Sequence, residues 1–135
     1  MSVIVFYEKP GCAKNTKQKV LLAAAGHTVW AKNLLVEPWT CERLLQFFGQ
    51  KPVSSWFNRA APKVKSGEII PEELDAKTAI AMMLSEPLLI RRPLIEAEGR
   101  REVGFDHELI DAWLGLSVKP EGDIESCSKQ HKSCP

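Results

Sequence analysis

The opening of the chain limits its fold more than any other stretch. Residues 2–7, Ser-Val-Ile-Val-Phe-Tyr, form a β-branched, aromatic and uncharged run that reads as a buried strand. Glu8-Lys9-Pro10-Gly11 turns the chain, and a helix is predicted over 13–25, closed by Gly26. Residues 28–35, Thr-Val-Trp-Ala-Lys-Asn-Leu-Leu, make a second strand. Two strands separated by a helix cannot form a tight hairpin; they lie parallel, with a right-handed crossover. The chain is therefore α/β, and an all-helical or all-β fold is excluded.

The middle of the chain reads as helical. Thr40 is placed to cap a short helix carrying Leu44, Leu45, Phe47 and Phe48, which Gly49 and Pro52 end. A turn around 54–57 leads into a polar, proline-interrupted stretch over 58–67. A further helix is predicted from Pro71 to about Ser85, with Ala76, Ala79, Ile80, Met83 and Leu84 on one face. The last third begins with Pro87-Leu88-Leu89-Ile90 as a short strand. A hairpin of 94–97 and 101–105 follows, and then a helix capped by Asp106 whose stripe of Leu109, Ile110, Trp113 and Leu114 is expected in the core. The order β-α-β, helices, β-β-α is that of a thioredoxin-like core, a mixed four-stranded sheet, with a helical insertion after the second strand. Residues 1–116 are expected to form this domain. Residues 117–135, rich in Gly, Ser, Pro, Lys and Glu, are expected to form a flexible tail.

Charge removes other classes. Eighteen Lys and Arg against seventeen Asp and Glu leave a net charge of +1, without the basic excess that direct nucleic-acid binding by phosphate neutralisation calls for. The longest apolar runs, 20–25 and 79–84, are far short of the roughly 20 residues of a bilayer span. The short run 3–7 passes straight into Glu8 and Lys9, unlike a signal peptide. A cytoplasmic location is expected, and with it free thiols at Cys12, Cys41, Cys127 and Cys134.

Cys12 is the thiol whose position carries chemistry. It follows a strand and opens a helix, where backbone N–H groups and the positive end of the macrodipole favour a thiolate. Lys9 and Lys14 add positive charge nearby and Glu8 opposes it. The other reading is a small apolar residue filling the first turn. Cys41, beside Thr40 and Glu42, reads as a semi-buried structural thiol.

Val5-Phe6-Tyr7-Glu8-Lys9-Pro10-Gly11-Cys12-Ala13-Lys14 resembles the first strand and Pro-x-Cys loop of the arsenate reductase/Spx-like (ArsC) family. Pro87-Leu88-Leu89-Ile90-Arg91-Arg92-Pro93-Leu94-Ile95 is similar to that family's second signature. The resemblance covers residues 2–116. With its Cys-rich end, the chain looks most like the nitrogenase-associated branch of that family. The resemblance implies a catalytic thiolate at Cys12 that attacks arsenate or a related oxyanion, and oxyanion-binding arginines at Arg59 and Arg92. Lys14 and Pro93 are further candidate substrate-binding residues, Lys14 by adding charge beside the thiol. A cis bond is implied before Pro93, presenting backbone groups to an extended thiol substrate. Glutathione as co-substrate and glutaredoxin as reductant follow from the same likeness, with no tightly bound cofactor and no metal; a monomer is expected.

Two positions depart from the reductase pattern. Glu8 stands where that pattern has a His, and a carboxylate beside a thiol raises its pKa. Gly104 stands where the third oxyanion-binding Arg belongs, with Arg91 and Lys63 as candidate replacements. Val103-Gly104-Phe105 looks instead like the Spx-type regulators, whose Cys-x-x-Cys switch is missing here, since Asn15 occupies the second position. A non-catalytic regulatory or adaptor protein, binding a protein partner linked to nitrogenase and sensing redox state, is therefore the competing expectation. In the tail, Cys127, His131 and Cys134 fall within eight residues. Cys127 and Cys134 are candidate resolving thiols; a metal site there lacks a fourth ligand, unless His107 or Cys12 comes from the domain.

Overall fold

The computed structural model describes residues 2–116. Its elements in chain order are β1 (Val3–Glu8), α1 (Ala13–Ala24), β2 (Thr28–Asn33), α2 (Cys41–Phe48), α3 (Pro62–Lys65), α4 (Ala76–Ser85), β3 (Leu94–Ala97), β4 (Arg100–Val103) and α5 (His107–Leu114), with single 3₁₀ turns at Val53–Ser55, Pro71–Glu73 and Pro87–Leu89. The sheet order is β2-β1-β3-β4: β1 runs parallel to β2 and antiparallel to β3, and β3 antiparallel to β4. This is the expected mixed four-stranded, thioredoxin-like sheet with its helical insertion.

Alternation along β1 builds a core on each face of the sheet. Ile4 and Phe6 pack with Leu22 of α1, Ile95 and Ala97 of β3, Phe105 and Ile110. Tyr7 faces the other way, into a larger cluster of Leu44, Phe47, Phe48, Trp56, Phe57, Met83 and Leu94. Trp56 stacks on Phe48 with centroids 4.5 Å apart and planes 9° from parallel. Each fully buried side chain of this size contributes about 1.5–3 kcal/mol, so the α2–α4 insertion is a core in its own right. The β1–α1–β2 unit is tied to the C-terminal helix by His27. Its Nδ1 accepts from Ser2 N–H at 3.0 Å, which leaves Nε2–H to donate to the Gly115 carbonyl at 2.9 Å.

Several sequence expectations change. The predicted helix from Pro71 breaks at Leu74. Asp75 restarts it, accepting from Thr78 N–H at 2.8 Å, because a well-placed N-cap defines a helix start more strongly than an upstream proline. Pro87–Leu89 is a 3₁₀ turn rather than a strand, and Ile90 alone bridges to Phe57. Pro62–Lys65 adds a helical turn within the stretch expected to be irregular. The hairpin closes through Glu98 and Gly99, both with positive φ, as in a type I′ turn. This moves β4 to begin at Arg100. Cys41 is exposed: it is the first residue of α2, and the helix enters the core only from Leu44, one turn later. On α5 only Ile110 is fully buried; Trp113 is half-buried, with the Arg100 guanidinium 5.0 Å from its ring.

Candidate functional site

Cys12 is the N-cap of α1, in extended conformation, and its side chain is 1% exposed. Gly11 before it takes φ +85°, a region that suits glycine, and this turns β1 directly into the helix. The Cys12 N–H donates to the Lys9 carbonyl at 3.1 Å, and its own carbonyl accepts from Thr16 N–H at 3.0 Å and Thr16 Oγ1 at 3.1 Å. The other helices of eight residues or more carry Thr40, Asp75 or Asp106 as side-chain caps. The first turn of α1 has neither a side-chain cap nor an acidic residue. Among the described residues, none accepts from the N–H groups of Ala13, Lys14 and Asn15. Those amides are the orphan donors of a helix start, and a thiolate or an oxyanion can satisfy them.

The buried polar residues of α1 are Lys14, Asn15 and Gln18. Asn15 Oδ1 accepts from Lys9 N–H at 3.2 Å, which pins the loop, and its Nδ2 donates to Gln18 Oε1 at 3.0 Å. Lys14 is 4% exposed and its Nζ has no hydrogen-bond partner. Glu8, at the end of β1, is buried and bonded to Lys19 Nζ at 3.0 Å. Its charge is thus matched, which weakens the effect on Cys12 that the sequence implied. The pairing joins a strand residue to the second turn of the helix, and no local pattern announces it.

The Arg92–Pro93 bond is cis, as the family resemblance implied. The register pairs Tyr7 with Leu94 and Leu94 with Val103, and Gly104 N–H donates to the Pro93 carbonyl at 2.8 Å. Glu8, Pro93 and Gly104 therefore follow one another at the same end of adjacent strands, the end from which the Cys12 loop departs. Arg92, immediately before Pro93, is buried.

Arg59 is placed differently. It is exposed on the insertion, and its Nη2 bonds to Glu72 Oε2 at 2.6 Å and to the Ser54 carbonyl at 2.9 Å. The hydrogen bond from Arg59 holds the Glu72 carboxyl below the usual glutamate range. The candidate substitutes for a third arginine are engaged as well. Lys63 pairs with Glu86 at 2.9 Å, and the bond to that carboxylate pushes its pKa up. Arg91 donates to the Ser55 carbonyl at 3.2 Å. Arg91 also lines a charged cavity of about 300 Å³ with Lys51, Ser55, Glu102, Gly104 and Asp106. Cys127, Cys134 and His131 lie outside the described residues.

Sequence reading missed the polar cluster over Tyr7. Arg43 of α2 donates to the Tyr7 hydroxyl at 3.2 Å, lies 4.5 Å from the Trp39 ring and pairs with Glu37 at 3.1 Å. Burial pushes the Tyr7 pKa up, and Arg43 opposes the shift. This arrangement anchors the insertion to the strand that delivers Cys12.

Residues 7–113 match the ArsC family. An uncharacterized 15.7 kDa protein in the draG 3′ region of Rhodospirillum rubrum is 49% identical over 130 residues, covering 96% of this chain and 91% of the relative. The global transcriptional regulator Spx 2 of Lactococcus lactis is 28% identical over 122 residues, covering 87% and 90%. Among solved structures, an ArsC family related protein from Bacteroides fragilis superposes with TM-score 0.71 at 22% identity over 81% of this chain and 97% of that one. Arsenate reductase from Vibrio cholerae does so with TM-score 0.63 at 24% identity over 76% and 90%. These structures agree with the described fold. The family match spans most of the chain and both signature loops: the protein belongs to the ArsC family.

Proposed function

We propose that the protein is a thiol oxidoreductase in which the Cys12 thiolate attacks arsenate or a related oxyanion, with glutathione and a glutaredoxin-type protein completing the reduction. The observation that carries this reading is the placement of Cys12 as N-cap of α1, with three amides behind it that have no acceptor among the described residues and the cis Arg92–Pro93 loop at the same end of the sheet. Amides and dipole favour the thiolate and then the negative charge of the adduct. In the reaction, arsenate bonds to the Cys12 sulfur with loss of water. Glutathione then attacks, and the two thiols together give up the two electrons that take arsenic(V) to arsenic(III). Arsenite leaves, and the Cys12–glutathione mixed disulfide is reduced by the glutaredoxin dithiol. Cys127 or Cys134 is the alternative source of the resolving thiol.

Arsenate itself is a poor substrate on this reading. Arg59 is paired with Glu72, and residue 104 is a glycine without a guanidinium to offer. The relative encoded in the draG 3′ region supports a nitrogen-fixation setting, and to this reading we add a cytoplasmic location and a nitrogenase-linked protein partner. A second reading, a regulatory or adaptor protein, is favoured by the same two arginine observations and by the Spx relatives.

The deciding experiment is arsenate-dependent turnover with glutathione and glutaredoxin, wild type beside Cys12→Ser. Slow turnover that disappears in Cys12→Ser supports the oxidoreductase. No turnover in the wild type, with Cys12 still forming a mixed disulfide with glutathione, turns the assignment to the redox-sensing adaptor.

A further inference from the structure

Lys14 poses a physical problem. Its side chain is 4% exposed and its ammonium has no hydrogen-bond acceptor, although a buried charge ordinarily carries a partner. It also sits on the first turn of a twelve-residue helix, the positive end of the macrodipole, where a cation is repelled. Helical side chains tilt toward the N-terminus, so a residue in this turn directs its side chain back over the helix start. The polar side chains of this turn and of the adjoining strand end are bonded to other partners. Asn15 Oδ1 takes Lys9 N–H, Gln18 Oε1 takes Asn15 Nδ2, and Glu8 takes Lys19. The N–H groups of Ala13, Lys14 and Asn15, on the same turn, also have no acceptor among the described residues. Four donors, one of them charged, belong to this first turn, and among the described residues none of them has an acceptor.

We propose that Lys14 and the three first-turn amides form the receptor for a small oxyanion, so that this chain holds its anion by a lysine on the Cys12 helix instead of by an arginine from the insertion. The proposal rests on the reading of Cys12 as the reactive centre, because it places the anion beside that sulfur. A bound anion explains both anomalies: it pairs the buried ammonium and complements the dipole. An ammonium is a compact point charge without the planar fork of a guanidinium. Recognition here therefore selects a compact anion of high charge, and phosphate, sulfate and arsenate all qualify. Lys14 is the specificity-determining residue of the site.

The test uses the full chain in buffer free of phosphate and sulfate. Inorganic phosphate, which cannot be reduced, is titrated while the thermal unfolding midpoint and the amide NMR shifts are followed. A potassium chloride titration matched in ionic strength is the control. The wild type is expected to gain stability with phosphate, with the largest shifts at Ala13, Lys14 and Asn15. Lys14→Gln weakens phosphate binding about tenfold to a hundredfold, the loss of one charge-assisted hydrogen bond, while Lys14→Arg retains it. Lys17→Gln removes the same charge from the exposed side of the same helix and leaves the response unchanged. Without anion, Lys14→Gln unfolds at or above the wild-type temperature, because a buried unpaired charge is gone.

Equal phosphate affinity in Lys14→Gln overturns the proposal, as does a chloride response equal to that of phosphate, or wild-type shifts centred away from residues 13–15. The wild-type NMR arm decides even if Lys14→Gln does not fold. Arsenate turnover separates the two levels of inference. Phosphate binding lost in Lys14→Gln while turnover persists in Cys12→Ser keeps the receptor and removes the thiol chemistry. The reverse pair of results keeps the chemistry and removes the receptor.

Discussion

The Lys19 ammonium stands 3.0 Å from both carboxylate oxygens of Glu8, across the turn that presents Cys12. A position that the reductase pattern gives to histidine thus holds a carboxylate whose charge is matched from the second turn of the following helix. The negative charge reaching Cys12 is consequently smaller than the sequence alone implies, and removing the lysine should expose it.

Lys19→Met is expected to destabilise the protein by about 1–3 kcal/mol, between the cost of breaking an exposed pair and a fully buried one. It should also raise the pH at which Cys12 becomes reactive. Glu8→Gln combined with Lys19→Met should recover most of both losses. Urea unfolding and the pH profile of iodoacetamide modification measure the two effects. A double variant no better than Lys19→Met alone would show that the pair does not act as a unit.

The alkylation measurement has to respect burial. Cys41 is exposed and Cys12 is 1% exposed, so a rate at one pH ranks access as well as thiolate content. With Cys41, Cys127 and Cys134 replaced by serine, the midpoint of Cys12 modification is expected below the free-thiol value of about 8.5, owing to the helix-start amides. A midpoint at or above that value would leave Cys12 as a packing residue.

The Arg59–Glu72 pair makes a prediction of opposite sign to an ordinary loss of function. Glu72→Gln removes the carboxylate that holds the guanidinium, leaving Arg59 free to swing. Arsenate turnover is expected to rise up to about tenfold, the worth of one charge-assisted bond in the transition state. The pH behaviour follows the same pair. Glu72 has a depressed folded-state pKa, so whatever stability the pair adds is present above the ordinary glutamate value of about 4.3 and is lost as pH falls through the folded value. The acid limb of wild-type unfolding should therefore flatten in Glu72→Gln.

Gly104 cannot simply be returned to arginine. Its φ of +84° lies in the region that side chains disfavour, and its N–H is held by the Pro93 carbonyl. Gly104→Ala should cost about 1–2 kcal/mol in urea unfolding. Gly104→Arg should lose stability similarly without gaining arsenate turnover. A Gly104→Arg variant that is both stable and faster would mean that the loop relaxes around the new side chain.

The parts of the fold legible in the sequence are those written in local patterns. The β-branched run of β1, the helix closed by Gly26, Thr40 and Asp106 as caps and the Glu98-Gly99 turn all act within a few residues. The βαβ order then sets parallel pairing through chirality. Two signature loops sufficed to point to Cys12, Arg92 and Pro93, because the chain itself delivers them to one end of the sheet. Tertiary structure alone decided which charges meet: Lys19 with Glu8, Arg59 with Glu72, Arg43 with Tyr7, and Lys14 with no hydrogen-bond acceptor among the described residues. The reason is reach. A helix residue chooses its partner by the rotation and packing of the whole helix, and that choice is made by Phe47, Phe48, Leu22 and Phe6 in the two cores, far in sequence from several of the charges they bring together.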